Sequence, residues 1–222
     1  MSTYEYVRPA DIEKESMRII EAELAERGIE IPQENLTVVK RVIHTSADFD
    51  YGTNLKFTEG AVKRAVEALQ KGGCTFITDT NMALSGISKP SLQKLSSQAI
   101  CYMADAAIMQ QAKEEGTTRA YASMRRGAAE YPNGIFVSGN APTALIALSE
   151  MIRDGLKPAL IIGVPVGFVN VEQSKELILD VCTRRGIPAI VALGRKGGST
   201  VAAAICNALL YTAAGLLDPE NR

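Results

Sequence analysis

The 222-residue chain carries 24 basic and 25 acidic side chains, for a net charge of −1, and is 46% hydrophobic and 22% charged. That balance is ordinary for a soluble globular protein; it excludes a charge-poor, Pro/Gly-rich disordered chain and offers no positive excess for a nucleic-acid partner. A chain of this length forms one large domain, or at most two small ones, and buries roughly 70% of its unfolded surface, so its core needs no metal or disulfide staple.

Apolar periodicity predicts helices alternating with short strands. Residues 10–27 read as a helix with Ile12, Ile19, Ile20 and Leu24 on one stripe and Asp11 as its N-cap. TVVKRVIH (37–44) reads as a strand because it is rich in β-branched residues. Thr58 to Lys71 reads as a helix that Gly72 and Gly73 stop. CTFITDT (74–80) and SQAICYM (97–103) read as strands, followed by helices over about 104–115 and 118–130. From GIFVSG (134–139) onward the order becomes strand, helix, strand, helix, strand, helix. The helices cover 141–154, 171–185 and 199–215, and the further strands are PALIIGVPV (158–166) and IPAIVAL (187–193). This βαβ series predicts one α/β domain spanning residues 1–222, a three-layer α/β/α sandwich around a mainly parallel sheet.

No C-x-x-C pattern links Cys74, Cys101, Cys182 and Cys206, which read as free, buried thiols of a reducing cytoplasm, with no metal site. The N-terminal segment has no apolar h-region, so no signal peptide is expected, and the apolar runs are too short or too interrupted for a membrane span.

In a parallel α/β sheet, ligands sit outside the carboxyl ends of the strands. Polar, glycine-rich segments fall there in HTSADFDYG, DTNMALSGI, SGNAPTAL, GVPVGFVN and GRKGGST. His44 is the sole histidine and, read at the end of a strand, suits proton transfer or hydrogen bonding; it reads equally well as a histidine without a role. The sequence contains neither a G-x-S-x-G elbow nor a second imidazole, so neither a hydrolytic triad nor a metal centre is expected. Thr45, Ser46, Asp48 and Asp50 follow the histidine. Ser16 falls on the apolar stripe of the first helix, where its hydroxyl needs a partner, either a ligand or the carbonyl four residues earlier. Gly197 and Gly198, in GRKGGS, precede a helix whose free N–H groups suit an anion, with Arg195 and Lys196 adding charge; a solvated turn is the alternative. Asn140 either caps the helix begun by Pro142 or meets a ligand. Arg119, in the first turn of its helix, opposes the macrodipole and would gain from an anionic partner. Asp79, like Asp48 and Asp50, either orients His44 or caps a turn, and capping is the commoner role.

Seven segments in one order, RPADIEKESMRII, RVIHTSADFDY, DTNMALSGI, TTRAYASM, SGNAPTAL, GVPVGFVNVEQSKELI and GRKGGST, resemble the precorrin-8X methylmutase family of cobalamin biosynthesis, which includes the cobalt-precorrin-8 methylmutases. The resemblance covers nearly the whole chain. It implies a cofactor-free isomerase that moves a methyl group from C11 to C12 of a corrinoid, giving hydrogenobyrinate or its cobalt counterpart, cobyrinate. It further implies His44 as the proton donor, with Ser16 and Arg119 as substrate contacts; Thr45, Asn140, Gly197 and Gly198 are expected as further substrate contacts beside them. It implies a homodimer with no nucleic-acid or membrane partner. Arg125 and Arg126 are extra charges beyond the family's pattern. Two competing expectations are a tetrapyrrole-binding carrier, with His44 as a hydrogen-bond partner only, and a flavodoxin-like nucleotide site at GRKGGS.

Overall fold

The computed structural model describes residues 8–221. The expectation about a signal peptide therefore falls partly outside the described residues.

Two helices lead the chain, α1 (Pro9–Glu26) and α2 (Gln33–Ser46), fixed to one another by ion pairs from Glu13 to Arg41 and Glu21 to Lys40. Arg8, rather than Asp11, is the N-cap of α1; Asp11 lies in the first turn and accepts a hydrogen bond from the Arg8 guanidinium at 2.7 Å. The α1 stripe splits. Ile20 and Leu24 are buried, but Ile12 and Ile19 are half exposed.

The segment expected as a strand over 37–44 is instead the body of α2. Val38, Val39, Val42 and Ile43 stand at i, i+1, i+4 and i+5, which is one face of a helix, and all four are buried against the rest of the fold. β-branched side chains lower helix propensity only slightly, so packing of this face decides. A short helix, α3 (Tyr51–Asn54), and an edge strand, β1 (Leu55–Phe57), follow; neither is evident in the apolar pattern.

The remaining strands and longer helices follow the expected order, with strands trimmed at both ends, and two short helices stand between the second and third strands where none is expected. They are α4 (Ala61–Gln70), β2 (Thr75–Thr78), two short helices α5 (Asn81–Gly86) and α6 (Lys89–Lys94), β3 (Gln98–Ile100), α7 (Ala106–Glu114) and α8 (Arg119–Glu130). Then come β4 (Ile135–Ser138), α9 (Pro142–Arg153), β5 (Leu160–Gly163), α10 (Val171–Arg185), β6 (Ala189–Ala192) and α11 (Ser199–Ala214). A 3-10 turn over Pro219–Asn221 ends the described chain.

The six strands form one sheet in the order β1-β6-β5-β4-β2-β3, parallel except for β1, which pairs antiparallel with β6. Strands β2, β4, β5 and β6 are buried throughout, so their side chains pack on both faces of the sheet. Phe76, Ile135, Val137, Leu160, Ile162 and Ile190 face α2, α4, α5, α6 and α11. Ile77, Phe136, Ile161, Ala189 and Val191 face α8, α9 and α10. This is the expected three-layer α/β/α arrangement. Each fully buried Phe, Ile or Leu contributes about 1.5–3 kcal/mol, so the alternation of the two strand faces is what holds the sandwich together.

The crossover from β2 to β3 passes through α5 and α6 on one face of the sheet. The crossover from β4 to β5 passes through α9 on the other. The direction of winding thus changes between β2 and β4, and a crevice opens outside their carboxyl ends. Although β1 runs the other way, its first residue, Leu55, pairs with Ala192 at the end of β6. The segment joining α2 to β1 is thereby brought to the same edge of the sheet.

All four cysteines are free, as expected, but only Cys182 and Cys206 are buried; Cys74 and Cys101 are partly exposed. Burial pushes the Cys182 thiol up to about 12 and the Cys206 thiol higher still, which keeps both protonated and inert. Among the described residues no helix is long and apolar enough to cross a membrane.

Candidate active site

The crevice between β2 and β4 is organised by Asp79, which follows β2 and is fully buried. Its carboxylate accepts backbone N–H groups from Gly139 at 2.9 Å, Asn140 at 2.8 Å and Ala141 at 2.7 Å, and Ser138 Oγ lies 3.2 Å away. Burial raises its pKa above the ordinary carboxylate value, against the pull of these donors. Asp79 therefore does cap a turn, but one 60 residues later in the chain, at the start of α9. Asn140 does not cap that helix: the N-cap is Ala141, with no side-chain cap, and the exposed Asn140 side chain is left at the rim.

Next to this turn lies the N-terminus of α11. A Cβ at Gly139 would stand 2.9 Å from Ser199 Cα, so only glycine lets the two backbones approach this closely. Ser199 Oγ meets Thr80 Oγ1 at 2.8 Å, tying the end of β2 to the start of α11. The N-cap of α11 is Gly198, with no side-chain cap, so its first N–H groups face the edge of the sheet. The preceding Gly197 is packed against β5: a Cβ there would lie 2.1 Å from the Val164 carbonyl oxygen.

His44 stands in the last turn of α2, not at a strand end. It reaches the carboxyl edge all the same, because the chain beyond α2 turns through Ala47, in the left-handed conformation, toward α3 and β1. Asn54 O accepts the Leu193 amide at 2.9 Å just beyond β6. The imidazole is exposed, and no described residue hydrogen-bonds it. Thr45 is exposed beside it. Lys196 Nζ lies 2.7 Å from Asp48 and 2.6 Å from Asp50, linking the His44 segment to the glycine loop. Hydrogen bonds that it donates to both carboxylates hold the Lys196 ammonium above its ordinary pKa. Burial works against the Asp48 anion, but Lys196 and the Asp50 amide outweigh it, and Asp48 stays below the usual value. The lysine is thus already engaged by two carboxylates and is not the unpaired cation that the loop composition suggested. Arg195 is shared between Glu172 at 3.3 Å and the Phe168 ring at 5.4 Å, with more than half of its side chain exposed.

Arg119 opens α8 on the far side of the crevice. Thr118, the N-cap of α8, meets Thr143 in the first turn of α9 at 2.7 Å, which places the two helix starts together. The Arg119 guanidinium is exposed and, among the described residues, makes only a long, 3.5 Å contact to the Met103 carbonyl. The carboxyl edge therefore collects His44, Thr45, Asn140, Gly197, Gly198 and Arg119. Ser16 is not joined to them by any described contact; its hydroxyl donates to the Ile12 carbonyl at 2.8 Å, the local alternative expected for it. Arg125 is paired with Glu115, and Arg126 with Asp105 and Glu130. No group of three His, Cys, Asp or Glu among the described residues could hold a metal ion.

The family model described as Precorrin-8X methylmutase matches residues 11–212. The chain belongs to the precorrin-8X methylmutase family. With it the chain joins the isomerases of cobalamin biosynthesis. A methylmutase of Leptospira interrogans named cobalt-precorrin-8 methylmutase is 41% identical over 90% of this chain and 92% of its own length. The cobalt-precorrin-8 methylmutase of Salmonella typhimurium is 46% identical over 78% of this chain and 80% of its own. The precorrin-8X methylmutase of Pseudomonas aeruginosa is 37% identical over 92% and 97%. In three dimensions the crystal structure of the Thermus thermophilus precorrin-8X methylmutase superimposes with a TM-score of 0.81 at 36% identity, covering 92% of this chain and 98% of that one.

One residue of this methylmutase's site region went unnoticed in its sequence. Lys175 is fully buried on α10 and donates from Nζ to the Gly194 carbonyl at 2.7 Å and the Lys196 carbonyl at 2.8 Å. The available signal was its spacing, since it shares a helix face with Val171, Ser174, Ile178 and Cys182, all of them buried.

Proposed function

We propose that this methylmutase moves a methyl group from C11 to C12 of precorrin-8X or its cobalt form, with His44 as the proton donor. The observation that carries the reading is the placement of His44. A lone, exposed imidazole, unbonded by any described residue, stands in the last turn of α2, four residues before Asp48, which pairs with Lys196 of the loop leading into α11.

The reaction is an isomerisation, so atoms balance within the substrate: the bond from the methyl carbon to C11 breaks as the bond to C12 forms. A proton lent to a ring nitrogen beside C11 withdraws electron density from the breaking bond, and general acid assistance of this kind typically gives about 10²–10⁴-fold. The corrinoid's acetate and propionate arms are anionic, which suits Arg119, the exposed Arg195 and the free N–H groups after Gly198. Thr45 and Asn140 supply neutral hydrogen bonds at the rim. The family resemblance also assigns Ser16 a substrate contact, which would require its hydroxyl to turn from the Ile12 carbonyl. On the same resemblance we infer a homodimer, checked by sedimentation, and a cytoplasmic enzyme, to which the four free cysteines lend support.

The test is incubation with precorrin-8X and with its cobalt form, followed through the visible spectrum. Appearance of the hydrogenobyrinate or cobyrinate chromophore is expected, and the form converted identifies the natural substrate. In the His44→Ala variant, corrinoid binding should persist and conversion should cease. A substrate that binds the wild type unchanged would make the protein a carrier. Full activity of His44→Ala would remove the histidine from the mechanism.

A further inference from the structure

Lys175 takes no part in that chemistry, and yet it is among the largest fully buried side chains of the fold. An ammonium is costly to bury, and burial draws the Lys175 pKa down to about 8, with Glu172 pulling weakly the other way. An apolar side chain of similar length would fill the space at no such cost. What the amine supplies, and methylene groups would not, is a pair of hydrogen bonds to the carbonyls of Gly194 and Lys196. These carbonyls lie either side of Arg195, in the loop that turns from β6 into α11.

The same loop carries the Lys196 side chain into the pair of carboxylates at Asp48 and Asp50. From there the connection continues by hydrogen bonds. Asp48 Oδ1 accepts the Asp50 amide at 3.0 Å, the Asp48 amide donates to Ser46 Oγ at 3.3 Å, and Ser46 Oγ donates to the Val42 carbonyl at 2.8 Å. Val42 and Ser46 flank His44 by two residues on either side. An exposed ion pair is weak when both partners must be ordered to form it. Here the Lys196 backbone is already held from beneath, so less conformational freedom is lost when its side chain engages.

We propose that Lys175 is a positioning residue for the active site: by anchoring the 194–198 loop it sets Lys196, and through Lys196 it sets the Asp48–Asp50 turn and the separation of His44 from Gly197 and Gly198. Only its effect on rate rests on the reading of His44 as proton donor. The coupling between the two loops does not.

The experiment is amide hydrogen exchange on the full-length protein, read over residues 45–50 and 194–198 for wild type, Lys175→Met, Lys196→Met and the double variant. Both single variants should speed exchange at 45–50, and the double variant should be no faster there than Lys196→Met alone, because Lys175 acts through Lys196. Unchanged exchange at 45–50 in Lys175→Met, with faster exchange confined to 194–198, overturns the proposal, as does an additive double variant. Should Lys175→Met not fold, Lys175→Gln, which keeps one donor, must speed exchange at 45–50 to a smaller extent; no change at 45–50 while 194–198 loosens overturns it equally. In turnover, Lys175→Met should lower kcat by up to about 10²-fold, the scale of a misplacement near 1 Å, with a smaller change in KM. Failure of the wild type to convert either corrinoid would defeat the methylmutase reading and leave the exchange result to decide the coupling.

Discussion

Lys196 and Asp50 are 146 residues apart in the chain and meet at 2.6 Å. One comes from the loop between β6 and α11, and the other from the turn between α2 and α3. Their contact joins the His44 segment and the glycine loop along one edge of the sheet, where Arg119 and Asn140, from two further segments, also lie.

Arg119 should be separable from folding. Its guanidinium is exposed and, among the described residues, makes only one long contact, so Arg119→Ala should change stability by no more than about 0.5 kcal/mol. If the side chain binds a substrate carboxylate, the lost charge-assisted hydrogen bond is worth about 1.5–3 kcal/mol. At about 1.4 kcal/mol per tenfold, KM should rise roughly 10- to 100-fold. Steady-state kinetics beside a urea melt checks both halves; an unchanged KM would take Arg119 out of the site.

Asp79 should behave in the opposite way. Asp79→Ala strands the N–H groups of Gly139, Asn140 and Ala141 in a buried turn, each at about 1–3 kcal/mol. A loss of about 3 kcal/mol or more is expected, which for a chain of this size lowers Tm by roughly 6–12 °C. Calorimetry of the variant would show it, and a Tm within a degree of wild type would mean that water replaces the carboxylate at no cost.

Gly197→Ala places a methyl group against backbone, not against a movable side chain. The nearest atoms are the carbonyl oxygens of Val164 at 2.1 Å and Pro165 at 2.9 Å. The loop must therefore shift, at a cost of about 1–3 kcal/mol. Conversion of the corrinoid should fall more steeply than stability, because the shift carries Lys196 and the start of α11 with it. Parallel measurement of turnover and thermal stability distinguishes this from simple unfolding.

The burial of Lys175 has a pH signature. Its folded pKa, about 8, lies below the ordinary 10.5, so the unfolded chain holds the proton more tightly and protonation favours unfolding. The destabilisation is full below pH 8, fades as pH rises, and is gone above 10.5. Measured against Lys175→Met, which cancels the other titrating groups, wild type should gain relative stability between pH 8 and pH 10.5. Urea midpoints across that range provide the test; a constant difference would mean that the ammonium is not desolvated.

Much of the fold was legible because it depends on local pattern. The helix over 171–185 has the bounds that its pattern predicts, and the helices expected to stop at Gly72, Gly116 and Gly155 do end at glycines with positive φ. The strands β4, β5 and β6 were found as short apolar runs with βαβ spacing. The α2 segment was misread because eight residues rich in valine and isoleucine fit a strand as well as a helix, and only the face they bury decides between them. The helices α3, α5 and α6 are too short, at four to six residues, to show a period.

The candidate site divides along the same line. Residue chemistry alone singled out His44, Arg119, Asn140 and the glycine loop, since a lone imidazole, a helix-start arginine and paired glycines are unusual wherever the chain places them. The engagement of Lys196 by Asp48 and Asp50, the three amides on Asp79, and the carbonyls beneath which Lys175 lies are all pairings across 19 to 148 residues. The sequence by itself determined the periodicity, the turn residues and the inventory of chemical groups, because these are properties of neighbours in the chain. Tertiary structure alone decided which charges are already paired and which remain free for a ligand, because a charge acts over a few ångströms of space and takes no account of separation along the chain.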